Sequence, residues 1–458
     1  MTTVGDIVAS ESLTPGQLGL LYDSLSEPGE HVFVERLVCP LYGELELATF
    51  AGVWQRLVAR HDALRTGFVC DSPQGPKQAV HRTAELEIRL LDWSDLDSRK
   101  RAVRLDETLR AETEREFVLE RPPLMRLALA RVDREEVWLI WTSQHLILDG
   151  WSCWVLLCEA AWLYLADQNG IALALPAAPS FIDYAQWLAR EDRVGTHAAY
   201  WRAYLDGYRA VSSHPATREQ RKFQQLRKSL SRDISEVISE WQRRARRTIN
   251  TLAQAAWALV LAQEHGADEV VFGTVFSGRT SAFPGAADLV GLMINVLPVR
   301  VAMAWDVRLE DWMDRLQERH AEMLEHETCS LHEVRRWAGV ERENRLFDSV
   351  LVIMNIDPKD HLPPLGFRMG KPTYFANASY PLGVNVTPGE QIQIEMLHDL
   401  RYFSPARVER LYAAFATALL AVASSDASTR LGDLRRSLSS SRPRLSAAGR
   451  RTSIPAAL

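Results

Sequence analysis

Residues 143–152 read Ser-Gln-His-Leu-Ile-Leu-Asp-Gly-Trp-Ser, and this stretch organises the chain around it. The residues before it, 137–141, are β-branched, aromatic or aliphatic, which is typical of a strand. The residues after it, 151–167, are almost wholly apolar and end near an Asn-Gly pair, as a buried helix would. The stretch therefore predicts a strand–loop–helix junction that can hold a side chain at a cleft mouth on rigid supports.

Two residues of this junction, His145 and Gly150, are the candidate catalytic residues. An imidazole can act as a base near neutral pH. Glycine permits a tight turn with exposed backbone N–H groups, and the N-terminus of a helix favours a developing negative charge. An acyl transfer needs both a base that takes the nucleophile's proton and N–H groups that stabilise an oxyanion. The His-x-x-x-Asp-Gly pattern alone is weak, because a histidine beside a strand is more often structural than catalytic.

Outward from the junction, apolar periodicity predicts helices and strands on both sides. The predicted strands or extended segments are 32–38, 64–69, 124–132, 137–141, 269–275, 297–301, 349–354, 382–386 and 392–397. The predicted helices begin after Thr14 and cover 45–61, 151–167, 252–263, 309–325, 331–337 and 405–423. We expect an α/β (α+β) protein with an N-terminal lobe at 1–205, a linker at 206–222, a C-terminal lobe at 223–436 and a disordered tail at 437–458.

Composition excludes several classes of protein. The chain has 458 residues and a net charge of −6, which gives no general attraction to nucleic acid or to anionic membranes. It shows no signal peptide, no membrane-spanning run and no phosphate-binding glycine loop, so a cytoplasmic protein is expected. His326, Cys329 and His332 have ligand-like spacing, but no fourth ligand accompanies them. We expect no metal site and no intrinsically bound cofactor.

The central stretch resembles the HHxxxDG(W)S core of the condensation domains of nonribosomal peptide synthesis. Six further segments resemble motifs of that family in the same order, and together they span roughly residues 13–435. They are 13–17 (LTPGQ), 60–68 (RHDALRTGF), 181–187 (FIDYAQW), 200–201 (YW), 290–300 (VGLMINVLPVR) and 347–352 (FDSVLV). No single match is specific, whereas the collinear set is.

The resemblance implies a fold and a reaction. Family members consist of two chloramphenicol-acetyltransferase-like lobes in a V-shaped pseudo-dimer, with the active site in the tunnel between them. The donor acyl group arrives as a thioester on the phosphopantetheine of a partner carrier protein. An amine or hydroxyl acceptor, either a small molecule or carrier-bound, attacks it to form an amide or an ester. Since no adenylation or carrier motif is seen, we expect a free-standing condensation enzyme.

The resemblance also assigns roles to individual residues. His145 aligns with the family's second histidine and is expected to assist the nucleophile, while Gly150 shapes the loop and offers an N–H to the oxyanion. Asp149 is expected to pair with Arg65 as a structural clamp on the loop. Gln144 stands where the family has its first histidine. Glutamine keeps hydrogen-bonding capacity but cannot carry a proton near neutral pH, so we expect a supporting role there.

Three further residues could line the substrate tunnel, although each also has a structural interpretation. Trp151 is expected to pack, and Ser152 to cap the helix rather than act as a nucleophile. Asn295 could line the site or serve a turn. Three alternatives to carrier-dependent condensation remain at this point: a catalytically silent recruitment domain, to which Gln144 points mildly, a coenzyme A-dependent acyltransferase, and an epimerisation domain.

Overall fold

The computed structural model describes residues 6–26, 33–73, 75–190, 194–208, 222–279, 283–340, 345–354, 368–375 and 380–440. The elements of the first half are β1 (Ile7–Ser12), α1 (Pro15–Ser26), β2 (Val34–Tyr42), α2 (Leu47–Arg60), β3 (Thr66–Val69), β4 (Lys77–His81), β5 (Ile88–Asp92), α3 (Ser98–Glu114), β6 (Met125–Arg131), β7 (Glu136–Gln144), α4 (Gly150–Gln168), α5 (Phe181–Arg190) and α6 (Val194–Leu205).

The second half continues the alternation of helices and strands. Its elements are β8 (Phe223–Ser229), α7 (Arg232–Ala245), α8 (Ile249–His265), β9 (Glu269–Phe276), β10 (Asn295–Ala302), α9 (Leu309–Leu324), α10 (Leu331–Trp337), β11 (Ser349–Ile353), β12 (Arg368–Met369), β13 (Thr373–Phe375), β14 (Leu382–Thr387), β15 (Gln393–Asp399), α11 (Pro405–Ala423) and α12 (Leu431–Ser440). The predicted α/β (α+β) fold class is confirmed.

Each half is built around a larger sheet. In the first half the strand order is β12-β2-β7-β6-β5, and β13 also pairs with β2. In the second half the order is β10-β9-β11-β14-β15-β8. A small sheet, β1-β4-β3, lies beside the first. Strands β12 and β13 come from the second half of the sequence but complete the sheet of the first, so the halves are joined by backbone hydrogen bonds as well as by packing.

Apolar periodicity explains how the elements are held. On α2, the predicted stripe of Phe50, Val53, Trp54 and Leu57 is buried against the first sheet and α4. Helix α8 is buried on nearly every side because it lies between the second sheet and its neighbouring helices, chiefly α11. The segment 286–293 belongs to the second half, yet its apolar side chains pack into the core of the first. This crossing segment brings the two halves together beside the junction.

The observed C-terminal region differs from the predicted domain organisation. Helix α12 runs to Ser440, so disorder beginning at residue 437 is wrong for the first few residues of the tail. The buried side chains of Leu431 and Leu434 hold this helix on the second core. Most of the predicted linker, 209–221, and the tail from 441 lie outside the described residues. Among the described helices, none combines the length and apolarity needed to cross a bilayer.

Candidate active site

The loop that carries His145 is anchored by its own apolar residues. Strand β7 ends at Gln144, and α4 begins at Gly150. Between them Leu146, Ile147 and Leu148 are at most 2% exposed. The apolar triplet therefore fixes the loop in the core, and the imidazole of His145 stays partly accessible, with 14% of its side chain exposed.

The protonation pattern of the His145 ring follows from one contact. Its Nδ1 lies 2.5 Å from the backbone oxygen of Leu148. A carbonyl oxygen can only accept, so Nδ1 carries the proton and, in the neutral ring, Nε2 is a free acceptor. Nε2 lies 3.5 Å from Oε1 of Glu35. The Leu148 contact therefore leaves Nε2 as the ring nitrogen that can accept a proton, as a general base must.

Sequence reasoning missed Glu35. It lies on β2, where it pairs in register with Ser143 of β7, two residues before the histidine. Alternation along a strand sends its side chain to the same face as the core and α4, whereas the next residue, Arg36, reaches α3. The signal in the sequence was a charged residue on a strand face that otherwise carries Leu37, Cys39 and Leu41. The strand was predicted, but its register against β7 was not.

Asp149 is the N-cap of α4 and is fully buried. Its Oδ1 accepts from the backbone N–H and from the hydroxyl of Ser152, both at 2.8 Å. Its Oδ2 accepts from the N–H groups of Met293 at 3.0 Å and Ile294 at 3.3 Å. Arg279 donates to both oxygens, over 2.8 and 3.0 Å. The carboxylate is therefore saturated and has no lone pair to offer a substrate.

The ionisation of Asp149 is settled by these partners. Burial alone would raise the pKa of its carboxyl group. The positive charge of Arg279, its hydrogen bonds and those from the N–H groups of Ser152 and Met293 outweigh burial, and the pKa lies below its ordinary value. A buried charge that is paired and hydrogen-bonded in this way has a structural role. The expectation that Asp149 supports the loop agrees with this geometry.

The predicted pairing of Asp149 with Arg65 is wrong. Arg65 donates through Nη1 to the backbone oxygens of His81 and Arg82 at the end of β4, the second over 3.2 Å. Its place is taken by Arg279, in the segment after β9. The neighbouring Gly278 has a φ of +68°, and a Cβ there would lie 2.3 Å from the Met293 oxygen. Only glycine allows this close approach.

Ser152 is bound within the junction and is not the helix cap that the sequence suggested. The cap is Asp149, because α4 begins at Gly150. The Ser152 hydroxyl is fully buried, 2.8 Å from the oxygen of Gly291, and it accepts from the Gly291 N–H over 3.0 Å. Arg279 also donates to it over 3.1 Å. A hydroxyl held by the second half of the chain is not placed to act as a nucleophile.

Gly150 and Trp151 open α4 in different ways. Gly150 has no positive φ, so the tight turn expected of it is not formed there, and a Cβ at this position would meet nothing within 4 Å. The space beside its backbone is open. Trp151 donates through Nε1 to the backbone oxygen of Ala287 over 2.8 Å, which ties it to the crossing segment. As the first residues of a helix, both have N–H groups without an intrahelical acceptor.

Gln144 and Asn295 serve neighbouring backbone groups. The Oε1 of Gln144 accepts from the N–H of His145 over 2.9 Å, and the side chain is only 6% exposed. Asn295 donates through Nδ2 to the oxygens of Glu327, over 2.8 Å, and Cys329. Of the two interpretations open for Asn295, this contact favours the turn. Gln144 supports the backbone that carries the imidazole.

The segments around the junction form its frame. Gln17 donates through Nε2 to the backbone oxygen of Leu146 over 3.2 Å, so the 13–17 segment supports the loop that carries His145. Asp62 caps α5 by accepting from the N–H of Phe181 over 3.0 Å and of Ile182 over 3.2 Å. Among the described residues, no group of three or more His, Cys, Asp or Glu could hold a metal ion.

Comparison with known sequences shows to which family the chain belongs. The family described as Condensation domain matches residues 9–435. A linear gramicidin synthase of Brevibacillus parabrevis is 32% identical over 423 residues, which are 90% of this chain and 8% of the synthase. Chondramide synthase cmdD of Chondromyces crocatus is 34% identical over 378 residues, 81% of this chain and 10% of the synthase. The chain thus spans about a tenth or less of these relatives.

Solved structures agree on the fold. The starter condensation domain of rhizomide synthetase RzmA, in complex with C8-CoA and Leu-SNAC, matches with a TM-score of 0.78 at 21% identity. The match covers 92% of this chain and 96% of that one. The fold is therefore that of solved condensation domains. The chain belongs to the condensation domain family.

Proposed function

We propose that this protein transfers an acyl or aminoacyl group from the phosphopantetheine thioester of a carrier protein to an amine or hydroxyl acceptor, forming an amide or an ester. One observation carries the proposal. Leu148 holds Nδ1 of His145, which leaves Nε2 as an acceptor on the loop that leads into the N-terminus of α4. A base beside a cluster of free N–H groups is what acyl transfer requires.

The proposed reaction uses few residues. Nε2 of His145 accepts the proton that the nucleophile loses as it attacks the thioester carbon. The oxyanion that forms is stabilised by the N–H groups of Gly150 and Trp151 and by the positive end of the α4 dipole. The C–S bond then breaks, and Nε2 of His145 passes its proton to the departing sulfur, so that the leaving group is a thiol. Asp149 and Arg279 keep the loop in place and take no part in the chemistry.

Two further features support a thioester donor. The open space beside the Gly150 backbone allows a reacting carbonyl to approach the start of α4. The rhizomide synthetase domain was solved with C8-CoA and Leu-SNAC. Coenzyme A carries the pantetheine arm that a carrier protein carries, so a carrier-bound donor is the corresponding substrate here. No cofactor of the enzyme's own is needed, because the thioester is the activated group.

Reconstitution tests the proposal. A carrier protein loaded with an acyl group is mixed with the enzyme and a panel of amines and alcohols, and carrier unloading and product mass are followed. His145→Ala runs alongside, with circular dichroism to confirm folding. Removing a general base is expected to slow product formation by about 10²–10⁴-fold. Donors supplied as free acyl-coenzyme A distinguish carrier dependence from coenzyme A dependence.

The other outcomes are equally decisive. Equal rates for the wild type and His145→Ala would show that His145 is not the base. Product from acyl-coenzyme A alone would identify a coenzyme A-dependent enzyme. Stable binding of the carrier without product from either protein would indicate a recruitment domain.

A further inference from the structure

The carboxylate of Glu35 lies close to His145, the proposed base. Its Oε1 lies 3.5 Å from Nε2 of His145, and about a quarter of the side chain is exposed, 24%. Strand β2 fixes the position, because Glu35 pairs with Ser143 in the antiparallel register that leads into the His145 loop. The backbone oxygen of Phe33 extends this ladder to the N–H of His145, over 2.9 Å. The two side chains therefore share one rigid support.

Glu35 leaves this part of the site with excess negative charge. The other nearby carboxylate, Asp149, is neutralised by Arg279. Burial, reinforced by the charge of Glu35, raises the pKa of the Cys153 thiol and of the Tyr374 phenol, so both neighbours are neutral. The positive charge of Arg36 also interacts with Glu35, but its guanidinium lies on the opposite face of β2 and donates to α3. A charge placed in this way favours a cation.

The hydrogen-bonding capacity of His145 and Glu35 indicates which kind of group binds to them. With the proton of the ring on Nδ1, both Nε2 and Oε1 are acceptors, and they face each other. A hydroxyl has one hydrogen to donate, so it can satisfy only one of the two. An ammonium group has three, and it also carries the charge that compensates the carboxylate. The pair of acceptors therefore suits a protonated amine better than an alcohol.

We propose that Glu35 is a specificity-determining residue that binds the acceptor as a protonated amine and discriminates against a hydroxyl acceptor. This inference rests on the proposed function and assigns the residue that recognises the acceptor. The ammonium binds to Oε1 of Glu35 and Nε2 of His145 and releases one proton to solvent before it attacks. The neutral amine attacks the thioester carbon, the C–N bond forms and the C–S bond breaks. Nε2 of His145 takes the second proton from the nitrogen and passes it to the departing sulfur, and the third remains on the amide nitrogen.

The test compares acceptors that differ in one group. Leucyl and 2-hydroxyisocaproyl thioesters of N-acetylcysteamine share a skeleton and carry an ammonium and a hydroxyl group. Matched pairs with small, aromatic and basic side chains complete the panel. In Glu35→Gln, which keeps the shape but removes the charge, KM for the amine should rise at least about tenfold, as expected for losing a charge-assisted hydrogen bond. KM for the hydroxyl partner should stay within about twofold, because it does not depend on the charge.

Glu35→Asp is the matched control, since it keeps the charge and should retain most of the preference for the amine. A merely structural role would affect amine and hydroxyl acceptors alike, so equal changes for both would overturn the inference. An unchanged KM for the amine in Glu35→Gln would also overturn it, while leaving the proposed function intact if the wild type still unloads the carrier.

Calorimetric titration separates the two hypotheses when turnover fails. If the wild type transfers the carrier-bound acyl group to none of the acceptors, the proposed function fails. The binding of each amine and hydroxyl probe to wild type and Glu35→Gln then decides the role of Glu35. Tighter binding of the amine that is lost in Glu35→Gln supports selection of a cation. Amine binding that is no tighter than hydroxyl binding in the wild type overturns it.

Discussion

Arg279 donates from Nη1 to Oδ2 of Asp149 over 2.8 Å and from Nη2 to Oδ1 over 3.0 Å, across 130 positions of sequence. Both side chains are buried, at 0% exposure for Asp149 and 7% for Arg279. The carboxylate belongs to the junction before α4, and the guanidinium to the segment after β9. This ion pair joins the two halves at the base of the site and makes a full charge tolerable in the core.

Asp149→Asn should lower the free energy of unfolding by about 3–5 kcal/mol, because it leaves the buried Arg279 unpaired. Urea denaturation measures the change. In a double-mutant cycle, Asp149→Asn and Arg279→Gln should couple by about 0.5–3 kcal/mol. Arg65→Ala is the matched control, and its effect should add to that of Asp149→Asn within about 0.5 kcal/mol. Strong coupling of Asp149 to Arg65 would contradict the observed pairing.

The same carboxylate predicts a dependence of stability on pH. The pKa of Asp149 is lower in the folded protein than in the unfolded chain. Its contribution is therefore complete above the unfolded value of about 3.9 and declines as the pH falls through the folded value. The difference in unfolding free energy between the wild type and Asp149→Asn should be constant at neutral pH and shrink below about pH 4. A difference that grew on acidification would rule out this sign.

Ser152→Ala should behave as a packing and hydrogen-bonding mutant. It leaves the Gly291 N–H without its side-chain acceptor, which should cost about 1–3 kcal/mol of stability. Product formation by the folded variant should fall far less than in His145→Ala. Mass spectrometry of the wild type during turnover should find no acyl group on Ser152. An acyl-Ser152 peptide would instead make this hydroxyl a nucleophile.

Gly150→Ala and Gly291→Ala form a contrasting pair. At Gly150 the backbone is ordinary and the space is open, so alanine should leave stability unchanged or raise it by about 0.4–1 kcal/mol. The added methyl group should nevertheless slow turnover, since it lies where the thioester carbonyl is proposed to bind. At Gly291 a Cβ would lie 2.0 Å from Cδ2 of Phe181, so alanine should destabilise by about 1–3 kcal/mol. Unchanged turnover in Gly150→Ala would refute the proposed approach of the donor.

Gln144→His should change kcat/KM by less than about tenfold, which is about 1.4 kcal/mol. The side chain of Gln144 contacts the backbone N–H of His145, and that N–H has a second acceptor in Phe33. An imidazole at this buried position can accept the same hydrogen bond. Steady-state kinetics of carrier unloading measures the ratio. A much larger gain would mean that the missing first histidine limits this enzyme.

Local pattern was enough to predict most individual elements. Helix α11 begins at Pro405 and ends at Ala423, as predicted, because proline fits the first turn and the apolar face is continuous. Strands β14 and β15 form the antiparallel hairpin expected around Pro388-Gly389. The junction of β7 and α4 was also predicted, since the change from strand to helix periodicity falls within ten residues. All of these depend on neighbours in sequence.

The sequence by itself determined the class of fold, the family and the junction that carries His145, because periodicity and collinear motifs are properties of the chain. Only the tertiary structure decided which charges meet there. Arg279 reaches Asp149 because the crossing segment packs into the first core, and Glu35 faces His145 because of the register between β2 and β7. A carboxylate selects its partner by distance and desolvation in space, and separations of more than a hundred residues leave no local trace of that choice.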